Sequence, residues 1–413
     1  MQPDIFRADL RCYSGFVHKI ESLSAAQIAD SRGNPTIEVT LTTQSGQGVV
    51  SVPSGASVGA HEAKVVEPAI AITQINTEVK VALAGKEFDQ KSLDAFLIQL
   101  DGTPDKSRLG GNATLGVSLA FARAAAAEQK AQLYQYLGTL AGVTAFALPV
   151  PMFNVINGGK HAHDGIAVQE FMLVPVGIAT TAKRVEAALA CMNVLKQHLI
   201  KNGLGTELGD EGGFAPHLRG SEEALLFLAQ SITDAGFSKD DIRISIDVAA
   251  SGLLQPDGYH EDGKVLSSAE LLSWYKKIAD QYNLFSIEDP FAEDDWSDFH
   301  TEVEQLTALI VGDDLTVTNT DRIALAVQKK AIDAVIIKPN QVGTVTETIA
   351  AVAAAHTQGW KAIASHRSGE TPDTWIADVA VGLGCSFIKA GAPTRPERTA
   401  KYDRLMEIES QLS

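Results

Sequence analysis

The sequence has few cysteines, fewer basic than acidic residues, and no long apolar run. Its three cysteines, Cys12, Cys191 and Cys385, lie far apart in 413 residues and form no Cys-x-x-Cys pair. This usage indicates a reducing compartment and provides no zinc motif. The 34 basic residues against 51 acidic ones leave a net charge of −17. Such a balance argues against a surface that binds nucleic acid.

No apolar stretch approaches the roughly 18 to 20 residues that span a bilayer. Residues 1–19 mix charged and apolar side chains and lack the continuous apolar segment of a secretory signal. We therefore expect a loosely ordered N-terminal extension on a cytoplasmic protein. The length suits a barrel of about 250 residues with a further domain beside it.

In the second half of the chain, short apolar strands repeatedly end in a charged residue. These terminal residues are Asp247, Glu288, Asp313, Lys338, His366 and Lys389. Helical stretches separate them, for example 320–330 and 344–358, so the pattern predicts repeated strand–helix units. In a closed barrel the C-terminal strand ends meet at one mouth, which carries the chemistry. We interpret this mouth as an active site.

The predicted barrel begins irregularly. The apolar segments 152–156 and 171–175 are joined by a loop too short for a crossover helix, so they should pair antiparallel. Two helices, 180–202 and 221–235, follow before the six strand–helix units. The sequence therefore predicts an α/β fold: a ββαα(βα)6 barrel over residues 144–413 with one reversed strand.

Residues 20–143 predict a smaller N-terminal α+β domain. Segments 37–41 and 48–52 predict two antiparallel strands, and residues 69–137 are mostly helical. The longest helix is predicted from an N-cap at Asn112 through an Ala-rich interior to Leu137, with Gly138 as its stop. Such a helix should pack against a second layer or a subunit interface.

Three strand ends predict a metal site. Asp247, Glu288 and Asp313 end three consecutive units, with no basic residue interleaved at the same depth. An all-oxygen triad suits a hard divalent ion, usually Mg²⁺. The alternative is that each acid caps the helix that follows it. A His161-x-His163 pair is only weak support for zinc.

The lysines at the later strand ends allow two interpretations. Burial and nearby cations would favour a neutral amine, which makes Lys338 a candidate general base. Alternatively, Lys338 and Lys389 form structural ion pairs with the acids across the mouth. Glu211 lies in a loop flanked by glycines, which favours a mobile acid over a packed one.

Several short motifs now bear on the family of the chain. They are Asp30–Thr36, Ser54–Ser57, Asn157–Gly159 with His161, Gln169–Met172, Gly209–Pro216, Ile287–Pro290, Gly312–Leu315, Ile337–Thr344, Ser365–Thr371 and Lys389–Pro393. In content and order they resemble the enolase family from about Ile20 to the C-terminus. The fold of that family, an α+β domain beside a ββαα(βα)6 barrel, agrees with the strand count above.

The resemblance implies the reversible dehydration of 2-phospho-D-glycerate to phosphoenolpyruvate, with two Mg²⁺ ions per site. It implies Lys338 as the base that removes the carbon-bound proton, and Glu211, assisted by Glu170, as the acid. Asp247, Glu288 and Asp313 would hold the first ion, and Ser57 would complete the second. Binding and catalytic contacts with the substrate are implied for His161, Gln169, Arg367, Ser368, His366 and Lys389. A homodimer or larger homo-oligomer is also implied.

The chain departs from the family pattern in three places. Segments 64–75 and 251–263 are shorter than usual, and Val58 replaces a common threonine after Ser57.

Two further hypotheses remain beside an active enolase. One is another member of the wider superfamily, which would usually carry a Lys-x-Lys pair where this chain has Gln169 and Glu170. The other is a protein of this fold kept for binding, such as a surface adhesin.

Overall fold

The computed structural model describes residues 16–55, 59–161, 166–303 and 305–412. The predictions that concern residues 1–15, Ser57 and His163 lie outside these ranges. His18 and Lys19, assigned above to a loose extension, pair with Glu87 and Phe88, and His18 is buried. In the described ranges, none of the helices combines the length and apolar character that a membrane crossing needs.

The N-terminal part contains two small sheets and a set of helices. Its strands are β1 (His18–Lys19), β2 (Ser22–Ala29), β3 (Pro35–Thr42), β4 (Gln47–Ser51) and β5 (Glu87–Phe88). Its helices are α1 (Pro68–Gln74), α2 (Lys80–Leu83), α3 (Gln90–Asp101), α4 (Gly111–Glu128) and α5 (Leu133–Ala141). Strands β2, β3 and β4 form an antiparallel meander, which confirms the predicted pair β3–β4. Strand β2 was not predicted, because its small and polar residues carry no clear apolar alternation.

Helix α4 lies unusually close to strand β4. A side chain at Gly48 would overlap the main-chain oxygen of Ala120, so only glycine allows this approach. The predicted single helix from Asn112 to Leu137 is wrong, since α4 ends at Glu128 and α5 begins at Leu133. No proline or glycine marks this break; the left-handed backbone of Lys130 makes it. Asn112 lies inside α4, where its side chain bonds the main chain of Val66.

The second part of the chain forms a closed eight-stranded barrel. Its strands are β6 (Val150–Asn157), β7 (Glu170–Val174), β8 (Arg243–Asp247), β12 (Ser286–Glu288), β13 (Leu309–Gly312), β14 (Ala334–Ile337), β15 (Lys361–Ser365) and β16 (Phe387–Lys389). A hairpin sheet of β9 (Leu254–Gln255), β10 (Gly258–Glu261) and β11 (Lys264–Leu266) is inserted after β8. Strand β7 is antiparallel to both neighbours, and the other pairs are parallel. The predicted reversed strand is therefore confirmed.

The barrel helices complete the predicted order. They are α6 (Thr181–Lys201), α7 (Ser221–Asp234), α8 (Ser268–Tyr282), α9 (Trp296–Val303), α10 (Thr320–Lys329), α11 (Pro339–Val342), α12 (Val345–Thr357), α13 (Trp375–Gly382) and α14 (Pro396–Leu412). Apart from the short α11, they follow the strands as ββαα(βα)6, so the α/β barrel prediction is confirmed. A separate apolar cluster that includes Met152, Met172, Ile336 and Ile363 fills the barrel interior and leaves the charged strand ends to form the mouth.

A buried carboxylate joins the N-terminal part to the barrel. Asp94 on α3 accepts hydrogen bonds from the amide and hydroxyl of Thr346, at 2.8 and 2.7 Å, at the start of α12. Ser118 on α4 donates to Asp94 and accepts from the amide of Val345. The α3–α4 pair thus accepts hydrogen bonds from two first-turn amides of α12, a barrel helix whose own N-cap is Thr344.

The ionisation of Asp94 should make stability depend on pH. Burial raises the pKa of Asp94 from 3.8 to about 6, against the hydrogen bonds of Ser118 and Thr346. A raised carboxyl pKa contributes stability that is complete below the unfolded value and is lost as the pH rises through about 6. We expect wild type to lose about 1 kcal/mol of unfolding free energy relative to Asp94→Asn between about pH 5 and 7. Urea titrations at both pH values measure this difference.

Asp105, which is half-buried, is the matched control for this experiment. Hydrogen bonds from Ser107 lower its pKa, so Asp105→Asn should differ from wild type by the same amount at both pH values. A wild-type to Asp94→Asn difference that does not change with pH would contradict the assignment.

Candidate active site

The strand ends bring the predicted functional side chains to one mouth. Asp247 and Lys389 end their strands, Asp313 and Lys338 come one residue after theirs, and Glu170 begins the reversed strand β7. Since β7 runs the opposite way, its first residue faces the same end of the barrel as the last residues of the others. The cavity there is narrow, with a volume of about 30 Å³, and it opens to solvent.

Most of the predicted site residues line this cavity. They are His161, Gln169, Glu170, Glu211, Asp247, Asp313, Lys338, His366, Arg367, Ser368 and Lys389. Glu288 does not line it; its side chain is buried below the surface of the mouth. Asp289 and Asp314 also line the cavity, although the sequence reading did not single them out. Their position directly after Glu288 and Asp313 was the available signal.

Lys389 lies among the acids that were predicted to bind metal. Its Nζ donates to Asp247 Oδ2 at 3.0 Å and to Glu288 Oε1 at 2.9 Å. It also lies 2.9 Å from Glu170 Oε2. No basic residue is interleaved between these acids along the chain, yet the fold brings Lys389 among them. Strand β16 pairs with β6 and closes the barrel, and this closure carries Lys389 to acids far away in sequence.

Lys338 forms an ion pair with Asp313. Burial opposes the charged amine, but the Asp313 carboxylate outweighs it and raises the pKa of Lys338. Conversely, Lys338 lowers the pKa of Asp313 against the effect of burial. Of the two readings left open for Lys338, the structure shows the ion pair. A free amine would require this pair to separate.

Glu211 is packed, so the prediction of a mobile acid is wrong. Its side chain is buried, and Oε2 accepts a hydrogen bond of 3.0 Å from Asn154 Nδ2 on β6. His366 Nε2 lies 3.1 Å from the same oxygen. Asn154 was not predicted, although a lone amide inside the apolar segment 152–156 was a detectable signal, because buried polar side chains need partners.

Glu170 and Glu211 form a carboxylate pair with His161 between them. His161 Nδ1 lies 3.5 Å from Glu170 and 3.7 Å from Glu211. Burial and the neighbouring Glu211 charge raise the pKa of Glu170 well above its usual value. For Glu211, burial is outweighed by His366, His161 and Arg398, which lower its pKa well below the usual value. Two acids with pKa values pushed apart are typical of proton-transfer sites.

Arg367 connects the mouth to the N-terminal loop. Its Nη1 lies 2.9 Å from Glu62 Oε2, and both side chains are buried. Gln341 donates to Asp313 at 3.1 Å and to Glu62 at 3.4 Å. Neither Glu62 nor Gln341 was given a role from the sequence. Their contacts join Glu62 to two side chains that line the mouth, Arg367 and Asp313.

The mouth has more buried carboxylates than cations to balance them. Burial and Asp247 raise the pKa of Glu288, and burial and Asp313 raise that of Asp314 to about 7. Raised values show that these acids lack enough positive charge around them. Such an oxygen-rich donor set fits a hard divalent cation. Oxygens of Asp289, Asp313 and Asp314 lie within 4.8 Å of one another. In the predicted metal triad of Asp247, Glu288 and Asp313, by contrast, the amine of Lys389 bonds Asp247 and Glu288.

The fold and this mouth define a barrel enzyme of the acid–base class, with a lysine, a carboxylate pair and a cation-compatible acidic cluster. The sequence model of the enolase N-terminal domain matches residues 20–137, and that of the enolase C-terminal TIM barrel domain matches residues 145–413. The chain therefore belongs to the enolase family, and it is a lyase, a phosphopyruvate hydratase. The boundary predicted near residue 143 remains a prediction.

Full-length relatives agree with the domain matches. The enolase of Methanocaldococcus jannaschii is 44% identical over 410 residues, 95% of this chain and 96% of its own length. The enolase of Acidothermus cellulolyticus is 46% identical, with 95% and 94% covered. That of Tropheryma whipplei is 45% identical, with 95% of each covered. These matches favour the enolase family over another branch of the superfamily.

Proposed function

We propose that the protein catalyses the reversible, Mg²⁺-dependent dehydration of 2-phospho-D-glycerate to phosphoenolpyruvate in glycolysis and gluconeogenesis. The observation that supports this most is the single mouth that collects Lys338, the Glu170–Glu211 pair and an excess of buried carboxylates. The reaction removes a proton beside a carboxylate and expels a hydroxide, so it needs a base, an acid and positive charge. The mouth provides candidates for all three.

Lys338 is the proposed base. To accept the carbon-bound proton, its amine has to be neutral, and in the structure it is held as ammonium by Asp313. The reaction therefore requires Asp313 to release Lys338 in the loaded enzyme. Asp247, Glu288 and Asp313 would hold the first Mg²⁺, and Ser57 would complete the second. Bound there, the ions would supply the positive charge that stabilises the doubly charged substrate carboxylate.

Glu211 and Glu170 are proposed to act together as the general acid. The raised pKa of Glu170 makes it the member of the pair that holds a proton more readily. Glu211, with its lowered pKa, can pass that proton to the departing hydroxyl only after receiving it from its neighbour. His161, between the two carboxylates, is placed to assist. The pair acts as one acid, and its two ionisations belong to the pair.

The remaining residues are proposed to bind the substrate. Arg367, Ser368 and Ser57 would hold the phosphate. Lys389, Gln169, His161 and His366 would line the rest of the pocket, in keeping with their place on the cavity wall. A homodimer or larger homo-oligomer and a cytoplasmic location rest on the resemblance and remain predictions.

The decisive experiment is an assay of the purified protein with 2-phosphoglycerate and Mg²⁺, followed by the ultraviolet absorbance of the enol phosphate. We expect product to form, and Glu211→Gln to lower kcat by about 10²- to 10⁴-fold, the range for loss of an acid–base group. Glu207→Gln is the matched control, because Glu207 is an exposed glutamate just before the same loop. Absence of enol phosphate with the wild-type protein would refute the proposed function.

A further inference from the structure

We propose that Arg398 is a positioning residue that places the His366 proton on Nε2, facing Glu211, and holds the loop that carries Glu211. The proposal rests on the proposed function, in which Glu211 takes part in proton transfer. Arg398 belongs to α14, the last helix of the chain, and its side chain is fully buried. No role for Arg398 was predicted from the sequence.

The guanidinium of Arg398 reaches two loops of the mouth at once. Nη1 donates to His366 Nδ1 and, at 2.8 Å, to the carbonyl of Arg367. Nη2 donates to the carbonyl of Ser368 at 2.7 Å and to that of Asp210 at 3.1 Å. Asp210 precedes Glu211, so one side chain joins the acid loop to the 366–368 segment. The planar fork of arginine suits such a set of acceptors.

The direction of these hydrogen bonds determines the histidine tautomer. A guanidinium has donors only, so His366 Nδ1 has to be the acceptor and carries no proton. The proton of a neutral imidazole then lies on Nε2, which is 3.1 Å from Glu211 Oε2. That contact is close but not aligned as a hydrogen bond in the structure, and a small rotation of the ring would align it. Burial lowers the pKa of His366 to about 4, and Arg398 adds to this, so the ring is neutral near pH 7.

Arg398 also contributes charge. The four acceptors named above are neutral groups, so its positive charge remains available to nearby carboxylates. Although burial acts in the opposite direction, Arg398 is among the groups that lower the pKa of Glu211. The residue therefore keeps the imidazole in one tautomer and favours the carboxylate form of Glu211.

The main chain around Gly391 is shaped to admit this arrangement. Gly391 has a left-handed backbone, φ 81°, and a side chain there would meet the Glu211 carbonyl at 2.7 Å and Arg398 Cδ at 3.0 Å. The amide of Ala392 donates to the Glu211 carbonyl at 2.9 Å. The segment before α14 thus bonds the main chain of Glu211, while Arg398 bonds the neighbouring Asp210 carbonyl and the His366 ring.

The tautomer can be tested directly by ¹⁵N NMR of protein labelled at histidine. Long-range correlations distinguish a protonated ring nitrogen from a bare one, and the His366 signal is identified by its loss in His366→Gln. We expect His366 to carry its proton on Nε2 in wild type and to show mixed tautomers in Arg398→Met. A wild-type His366 with its proton on Nδ1 would overturn the proposal. The measurement needs no catalytic activity, so its failure is distinct from failure of the proposed function.

Kinetics provide the second test, in folded variants. We expect Arg398→Met to lower kcat by about 10- to 100-fold, as loss of orientation does. Arg404→Met is the matched control: it removes a half-buried arginine of the same helix that pairs with Asp378 outside the mouth, and kcat should stay at the wild-type value. A folded Arg398→Met enzyme with wild-type kcat would contradict the proposal. If Arg398→Met does not fold, the NMR measurement of the His366 tautomer in the wild-type protein tests the proposal by itself.

Discussion

Replacing Lys338 with alanine is expected to lower kcat by about 10³- to 10⁴-fold, the upper range for loss of a general base. The reason is geometric as well as chemical. Lys338 follows strand β14 directly, and its amine contacts Asp313 at the centre of the mouth. A base has to stand within hydrogen-bonding reach of the proton that it removes. The measurement is initial-rate formation of enol phosphate at saturating substrate and Mg²⁺.

Lys361→Ala is the control for this variant. Lys361 is an exposed lysine at the first residue of β15, at the opposite end of the barrel from the mouth. Its loss should leave kcat unchanged. The binding of Mg²⁺ should also persist in Lys338→Ala, since removal of an ammonium from the acid cluster does not remove its oxygens. A Lys338→Ala enzyme with kcat within about tenfold of wild type would exclude this lysine as the base, because the loss expected for a base is larger.

Removal of divalent cations is expected to reduce activity to the level of the uncatalysed reaction, and added Mg²⁺ should restore it. The lysines described in the mouth are already paired with acids, so without the ions they offset less of the charge of a doubly ionised substrate. Binding should also appear without substrate. At Mg²⁺ concentrations about 100 times the dissociation constant, the free energy of unfolding should rise by about 2.7 kcal/mol.

The same stabilisation can identify the ligands. If the strand-end triad holds the ion, Asp247→Asn should abolish the stabilisation by Mg²⁺ and Asp314→Asn should leave most of it. The reverse result would assign the ion to the cluster of Asp289, Asp313 and Asp314, whose oxygens are closer together in the structure. An equal stabilisation in both variants and in wild type would contradict a metal site at this mouth.

Much of the site could be predicted because strand ends are visible in the sequence. Each short apolar run followed by a charged residue, such as the one ending at Asp247 or Lys389, predicted both a strand and a place at the mouth. The errors occurred where burial and partners matter more than order along the chain. Glu211 looked mobile between glycines, yet the hydrogen bond from Asn154 and the nearby His366 hold it in a packed position.

By itself, the sequence determined the barrel order and the reversed strand β7, since periodicity and loop length are local properties. The resemblance of its motifs to a family implied most of the residues around the cavity. Only the tertiary structure decided which charges meet. Lys389 lies among Asp247, Glu288 and Glu170 because the barrel closes. Arg398 reaches His366 because the last helix packs beneath the mouth. Contacts of this kind depend on the packing of elements far apart in the chain, and no spacing of residues encodes them.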